Sequence, residues 1–296
     1  MVHLIDASVY IFRAWFSVSD RVVDPEGRPV NAVLGFARFL TGLLEEARPA
    51  HVAVAFDESL TTSFRNELYA PYKANRELPP PELEYQFGLC RELAETLGLA
   101  CFASARYEAD DIIGTLAVRM RARGRSVTVV TRDKDLSQVL EENDVYWDYA
   151  GGRRITYAEA AGVFGARPEQ MPDYLGLVGD SVDNIPGVPG IGAKTASTLL
   201  AAYDGLDEIY AGLDRIADLP LRGAARVRER LEAHREEAYL ARTLATLAID
   251  VPLSVSNEEA LRRRRPDPAR LAELTDRLGF GRRLQGAVAG LLREDP

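Results

Sequence analysis

Three short β-branched runs, each closing on an acid, constrain this chain more than any other feature. "VHLID" (2–6) ends at Asp6, "HVAVAFD" (51–57) at Asp57 and "SVTVVTRD" (126–133) at Asp133, with Asp135 two residues further on. Between them lie patterns of helical period: "NAVLGFARFLTGLLEEA" (31–47), "ELEYQFGLCRELAETLG" (82–98) and "EADDIIGTLAVRMRARG" (108–124). Strands alternating with helices predict an α/β fold with a mainly parallel central sheet flanked by helices. "DVYWDYA" and "RRITY" on either side of Gly151–Gly152 predict a hairpin. Beyond about residue 157 the pattern turns helical, and Gly and Pro gather around 184–192, which predicts a helical subdomain in the second half.

An Asp at one strand end is an ordinary turn former, and acids in a first helical turn complement the macrodipole and the free amides. Turns and caps do not cover the whole set, because "YEADDIIG" (107–114) adds Glu108, Asp110 and Asp111 just before an apolar run. In open α/β sheets, ligands lie beyond the carboxyl ends of the strands. Carboxylates converging there repel one another unless a cation stands among them. Hard divalent ions such as Mg²⁺ or Mn²⁺ take oxygen ligands and suit the place.

Residues 176–200, "GLVGDSVDNIPGVPGIGAKTASTLL", join two further features. "GDSVDN" supplies Asp180 and Asp183, which share a face if the segment is helical. "GVPGIGAKTA" is a turn punctuated by Gly187, Gly190 and Gly192, residues that permit positive φ and close backbone approach. A helix predicted to start near Ala193 would present free N–H groups to a phosphate, with Lys194 and Thr195 alongside.

The ordered blocks "LIDAS", "AFDESLTTSFRNELYAPYKANR", "YEADDIIGTLA", "TRDKDLSQVL" and "GLVGDSVDNIPGVPGIGAKTA" resemble the flap endonucleases. The likeness covers roughly residues 2 to 250 and is greatest to the 5′-nuclease domain of bacterial DNA polymerase I and its stand-alone relatives. It implies a PIN-like nuclease core over 1–165, with a helical gateway at about 60–82. A helical subdomain over 166–296 would then carry a helix-three-turn-helix element at about 176–203. It further implies one metal site drawing on Asp6, Asp57, Glu108, Asp110 and Asp111, and a second on Asp133, Asp135, Asp180 and Asp183, holding two or three Mg²⁺ or Mn²⁺ ions. Some stand-alone relatives lack part of the second site, yet every matching position here is acidic. Lys73 and Arg76 match a basic pair that contacts the scissile phosphate, and Tyr72 is expected to stack on a base; for Arg65 a solvated surface loop is the competing reading. The glycine turn, with Gly187, Gly190, Gly192, Lys194 and Thr195, is expected to grip the backbone of duplex DNA. In relatives it holds K⁺ through carbonyls that match Leu177, Val178, Val188 and Ile191. The implied activity is metal-dependent hydrolysis of 5′-flap, nicked or 5′-ended duplex DNA in replication and repair.

A net charge of −9 first argues against a nucleic-acid partner. Of the 45 Asp and Glu, however, nine belong to the expected sites, and the remaining 36 equal the 36 Lys and Arg. DNA would therefore meet basic patches on a surface that is neutral on average. Cys90 and Cys101 form no disulfide framework, and three histidines without HxxxH spacing disfavour a zinc hydrolase. No apolar stretch approaches the ~20 residues of a membrane span, and the start lacks a signal-peptide pattern, so a cytoplasmic, nucleoid-associated monomer is expected. A PIN-like ribonuclease is the rival within the enzyme class, disfavoured by the GVPGIG element. A non-catalytic helix-turn-helix module would have no reason to keep the acids, and "IDAS" lacks the DxD of an aspartyl phosphotransferase. "LRRRRPDPARL" (261–271) reads as a solvated linker, and the aromatics of "VYIFRAWF" (9–16) as helix core.

Overall fold

The computed structural model describes residues 1–58, 62–255, 257–281 and 291. The first residues of the expected gateway, and most of 282–296 in the expected second domain, lie outside the described residues. The α/β layer comprises strands β1 (Val2–Asp6), β2 (Val52–Asp57), β3 (Ala100–Ser104), β4 (Val127–Val130), β5 (Val145–Asp148) and β6 (Arg153–Thr156). Their order is β3-β2-β1-β4-β5-β6, parallel except for the β5–β6 hairpin. Helices α1 (Ala7–Ser17), α2 (Asn31–Ala47), α3 (Phe64–Leu68), α4 (Pro81–Thr96), α5 (Ala109–Arg121) and α6 (Tyr157–Phe164) accompany the sheet. The remaining helices are α7 (Met171–Val178), α8 (Ala193–Ala202), α9 (Leu206–Ala211), α10 (Ala224–Ala233), α11 (Arg235–Ala245) and α12 (Pro268–Arg277).

Alternation along the strands divides the core. Ile5, Val54, Phe56 and Val130 face α1, α2 and α4, while Leu4, Ala53, Ala55 and Val129 face α5. Covered on both sides, β1 is buried throughout, as a central parallel strand must be. The helical part has its own core, with Leu175, Leu199, Ile209 and Leu231 buried among α7 to α11. Helices α7 and α11 approach closely at Gly176, where a Cβ would stand 2.9 Å from the Ala238 carbonyl oxygen.

Strand β3, "ACFAS", was not foreseen, since alanine, serine and cysteine give little β signal; its place is set by pairing with β2. The arginine run is likewise no solvated linker. His51 and Arg262 form an antiparallel bridge, Arg263 N–H donates to Ala50 O at 2.9 Å, and Arg264 N–H donates to Gly98 O at 2.9 Å. After this seam Leu271, Leu274 and Leu278 of α12 and its end join the same core as α4. The expected helical subdomain therefore does not run unbroken to residue 296, because residues 262–280 return to the α/β layer. Helix α1 buries Tyr10, Ile11 and Ala14 as expected, but Phe16 is exposed.

The strand order reverses between β1 and β4, where connections run off in opposite directions and leave a crevice at the carboxyl ends. Asp6 and Asp133 stand on either side of that crevice.

Candidate metal centre and DNA-facing cleft

Backbone turns and helix caps aim the acids. Asp6 is both the last residue of β1 and the N-cap of α1, where one oxygen accepts from Val9 N–H at 3.4 Å. Its other oxygen accepts from the Thr131 hydroxyl at 2.8 Å, a bond that spans the switch point. Asp57 ends β2 and accepts from Ala109 N–H at 2.8 Å, holding the start of α5 beside the strand. Asp133 follows β4 and accepts from Asp135 N–H at 2.9 Å. Asp180 accepts from Val182 N–H at 2.7 Å, folding residues 180–185 into a tight loop that carries Asp183.

Collecting acids in this way has an electrostatic cost. Burial, then the neighbouring Asp57, pushes the Asp6 carboxyl up to about 7. Burial and Asp133 push Asp135 up to about 8. Asp110 is raised well above the ordinary carboxylate range by burial and by Asp133, Asp6 and Asp57. Asp133 is raised too, by burial and then, against a bond from Asp135 N–H that favours its ionised form, by Asp183 and Asp180. One field thus spans both groups of acids.

The donors suit hard divalent ions. All are carboxylate oxygens, and Asp135 Oδ1 is buried without a hydrogen-bond partner, an acceptor that a cation would satisfy. Among the described residues no three of them stand together as a metal-holding group. Protein cations stand in part of the space instead. Lys73 Nζ lies 2.8 Å from Glu108 Oε1 and 3.8 Å from Asp183 Oδ2, and Arg76 pairs with Asp183. Burial alone would raise Glu108, but Lys73 and Arg65 outweigh it and hold that carboxyl below its usual range.

The gateway segment is laced to the loop carrying Asp180 and Asp183. Lys73 N–H donates to Asp183 O at 2.9 Å, Asn184 Nδ2 to Pro71 O at 2.7 Å, and Asn75 Nδ2 to Ser181 O at 2.8 Å. Lys73 sits at φ +55°, a left-handed backbone rarely adopted by non-glycine residues, so the loop must hold it there. Arg76, Arg132, Lys134 and residues 179–183 line an open cleft of about 580 Å³.

Three expectations change. Asp111, expected among the metal ligands, has no free lone pair: Oδ1 accepts from Arg65 Nη2 and Ala248 N–H, and Oδ2 from Arg65 Nη1 and Glu108 N–H, each at 2.8–3.0 Å. Arg65, weighed as a surface side chain, is 2% exposed and also donates to the Leu244 and Thr246 carbonyls. Tyr72, expected to stack on a base, is 3% exposed and donates its hydroxyl to Glu108 at 3.0 Å. Sequence reading also missed Thr131, which orients Asp6; the "TRD" of its block was the available signal.

Ahead of the glycine turn, α7 is capped by Gly179 at φ +70°. A Cβ on Gly187 would stand 2.4 Å from the Val178 carbonyl carbon and the Gly179 nitrogen, so this close approach requires glycine. Leu177 O accepts from Val188 N–H at 2.9 Å and Val188 O from Ile191 N–H at 3.0 Å, which leaves each carbonyl one lone pair. Gly190 lies at φ +77° beneath the Arg230 guanidinium. Gly192 faces open space ahead of α8, Lys194 is exposed and Thr195 is half-buried.

Two acids one residue apart should therefore respond oppositely. Asp111→Asn strands the buried Arg65 and should destabilise the protein by on the order of 3 kcal/mol. Asp110→Asn relieves repulsion and should leave metal-free stability level or higher. Chemical denaturation of both variants in EDTA checks the contrast; equal losses would assign both acids the same structural role.

Asp135 supplies a pH signature. Its proton is lost near 4 in the unfolded chain but near 8 when folded, so the folded state holds more protons between those values and stability falls as pH rises. In EDTA, the melting temperature of Asp135→Asn relative to the parent should climb from pH 4 to 8 and then level off. A flat difference would remove the repulsive cluster.

A family model described as "5'-3' exonuclease, N-terminal resolvase-like domain" matches residues 1–165, and "5'-3' exonuclease, C-terminal SAM fold" matches 166–269. DNA polymerase I of Rhizobium leguminosarum is 41% identical over 259 residues, covering 85% of this chain and 25% of that protein. The thermostable DNA polymerase I of Thermus filiformis is 38% identical over 280 residues, covering 95% of this chain and 32% of its own length. The chain thus spans about a quarter to a third of these curated relatives. Among solved structures, T5 5'-exonuclease with bound zinc aligns with a TM-score of 0.65 at 19% identity, covering 98% of both chains. The catalytic core of Rad2 in complex with DNA substrate gives 0.63 at 15% identity, covering 98% of this chain and 91% of that one. These two show the shared fold. With its sheet layer and its helical layer matched in order by the family's two models, the chain belongs to the 5'-3' exonuclease family and is a nuclease.

Proposed function

We propose that the chain is a divalent-metal-dependent, structure-specific 5′ nuclease that hydrolyses phosphodiester bonds in 5′-flap and 5′-ended duplex DNA during replication and repair in the cytoplasm. What carries the proposal is the continuity of three features: the gateway is hydrogen-bonded to the loop bearing Asp180 and Asp183, and that loop runs directly into the glycine turn. A duplex held at the turn would deliver its 5′ strand to the acids at a fixed distance.

Asp6, Asp57, Glu108 and Asp110 would hold one Mg²⁺ or Mn²⁺, and Asp133, Asp135, Asp180 and Asp183 the second, some through water. Bound there, the ions supply an activated water and stabilise the leaving oxygen of an in-line displacement. The protein's own contribution is positional. Thr131 and the caps of α1 and α5 fix the carboxylates, and Tyr72 orients Glu108. Lys73 and Arg76, which pair with Glu108 and Asp183, would turn their charge toward the scissile phosphate. The carbonyls of Leu177, Val178, Val188 and Ile191 would hold K⁺ against a backbone phosphate. Gly187, Gly190, Gly192, Lys194 and Thr195 would let the duplex approach. The nuclease core would occupy residues 1–165 together with the returning seam at 262–280, and the helical hairpin part would lie between.

Cleavage of a 5′-flapped duplex, a blunt duplex and single-stranded RNA, each with Mg²⁺ and with EDTA, tests the proposal. The flapped duplex should be cut fastest and only with metal; turnover in EDTA, or preference for RNA, would overturn it. Lys73→Ala then separates catalysis from attraction. Under single-turnover conditions at saturating enzyme its rate should fall by on the order of 10²–10³, with flap affinity near the parent's. A saturated variant cutting at the parental rate would remove Lys73 from the chemistry.

A further inference from the structure

Among the described arginines of the helical part, three pair with acids, and Arg215 and Arg235 lie instead over the rings of Tyr203 and Tyr210. Arg167 pairs with Glu169 and Asp204, Arg228 with Asp214 and Glu232, and Arg242 with Asp173 and Asp207. Arg222 and Arg226, at the entry to α10, are different. Both are exposed, and among the described residues neither side chain has an ion pair or a hydrogen bond. Arg230, one turn beyond Arg226 on the same face of α10, donates to the Gly190 carbonyl at 2.9 Å. That contact seats this face of α10 directly against the glycine turn, and a Cβ at Gly190 would stand 2.3 Å from the same guanidinium. On the other side of the turn Lys194 is exposed and also lacks an acid partner among the described residues.

We propose that Arg222 and Arg226, carried by the Arg230 anchor, extend the duplex-binding surface from the glycine turn along α10 and contact the phosphate backbone. The inference rests on the duplex-binding role of the turn and adds a second element to it. Its warrant is charge economy. An arginine already paired with a carboxylate must break that pair to meet a phosphate, whereas an unpaired one gains the full release of condensed counterions. Arg226 and Arg230 stand about 6 Å apart along the helix axis, and duplex DNA offers a phosphate every ~3.4 Å along each strand. A row of cations can therefore follow the backbone without reading base sequence. In a chain of net charge −9, cations left unpaired beside a backbone-approach site are a specific placement.

The test is an equilibrium titration of 5′-flapped duplex with Ca²⁺ in place of Mg²⁺, across roughly 50 to 200 mM salt. The parent is compared with the double variants Arg222→Ala/Arg226→Ala and Arg222→Lys/Arg226→Lys, and with Arg228→Ala. Both target side chains are exposed, so folding is not at stake. The double alanine variant should bind with a log–log salt slope shallower by about two units. The double lysine variant should keep the parental slope, as should Arg228→Ala, whose charge Asp214 and Glu232 already balance. A double alanine variant with the parental slope and affinity would overturn the inference and leave this face to some other partner, such as an acidic protein surface. A parent that fails to bind the duplex at all would overturn the duplex-binding role itself, and this extension with it.

Discussion

Repulsion among carboxylates gathered at one sheet edge is the constraint on which the rest of this structure depends. A parallel sheet with a switch between β1 and β4 leaves a crevice there, and successive strands deliver Asp6, Asp57 and Asp133 to it. The chain bears the cost in two ways. Some of the acids are held with raised proton affinity, as Asp6 near 7 and Asp135 near 8 are. Others are matched by cations from the gateway, as Glu108 is by Lys73 and Asp183 by Arg76. The first kind can accept a divalent ion by releasing a proton; the second can accept one by releasing a side chain.

The Arg65–Asp111 pair differs from both, and the difference separates scaffold from chemistry. Its two parallel bonds are wholly buried, and the partners are further held by the backbone at Glu108, Leu244, Thr246 and Ala248, with the Glu108 carboxylate 3.5 Å from Arg65 Nη1. A buried ion pair contributes to stability only when so completely satisfied. This one ties the gateway helix α3, the start of α5 and the end of α11 into one corner. The acids that face the cleft are thereby held by an acid that does not.

Much of this was legible in the sequence, and the limits have physical causes. β1, β2, β4 and the main helices announce themselves through period, because one buried face repeats at fixed spacing. The acid cluster was legible because each acid follows such a strand or opens such a helix. What failed were residues whose surroundings come from far along the chain. Arg65 is buried by carbonyls 179 and 181 residues away, so nothing local distinguishes it from a surface arginine. Tyr72 reads as an exposed aromatic in a polar loop until Ile185, Ala241 and Leu244 close over it. Asp111 differs from Asp110 only in which side of α5 it takes, and one residue of helical rotation turned a presumed ligand into a helix cap.

The same charge arithmetic bears on how DNA could be held by an acidic protein. Phosphates approaching the carboxylate edge meet like charge, so affinity cannot come from that edge before metal is bound. It must come from cations placed elsewhere, and in the helical part Arg167, Arg228 and Arg242 are spent on neighbouring acids while Arg215 and Arg235 lie over tyrosine rings. Near the glycine turn the cations without such partners are Lys194 beside it, then Arg222 and Arg226 leading into the helix that Arg230 fixes to it. The consequence is a division of labour along the chain. The helical part would supply attraction together with Asp180 and Asp183, and the sheet edge would supply the other acids without attraction. The gateway, hydrogen-bonded to the loop between them, carries cations that are counterions to the acids and that, on the proposed function, would turn to the phosphate.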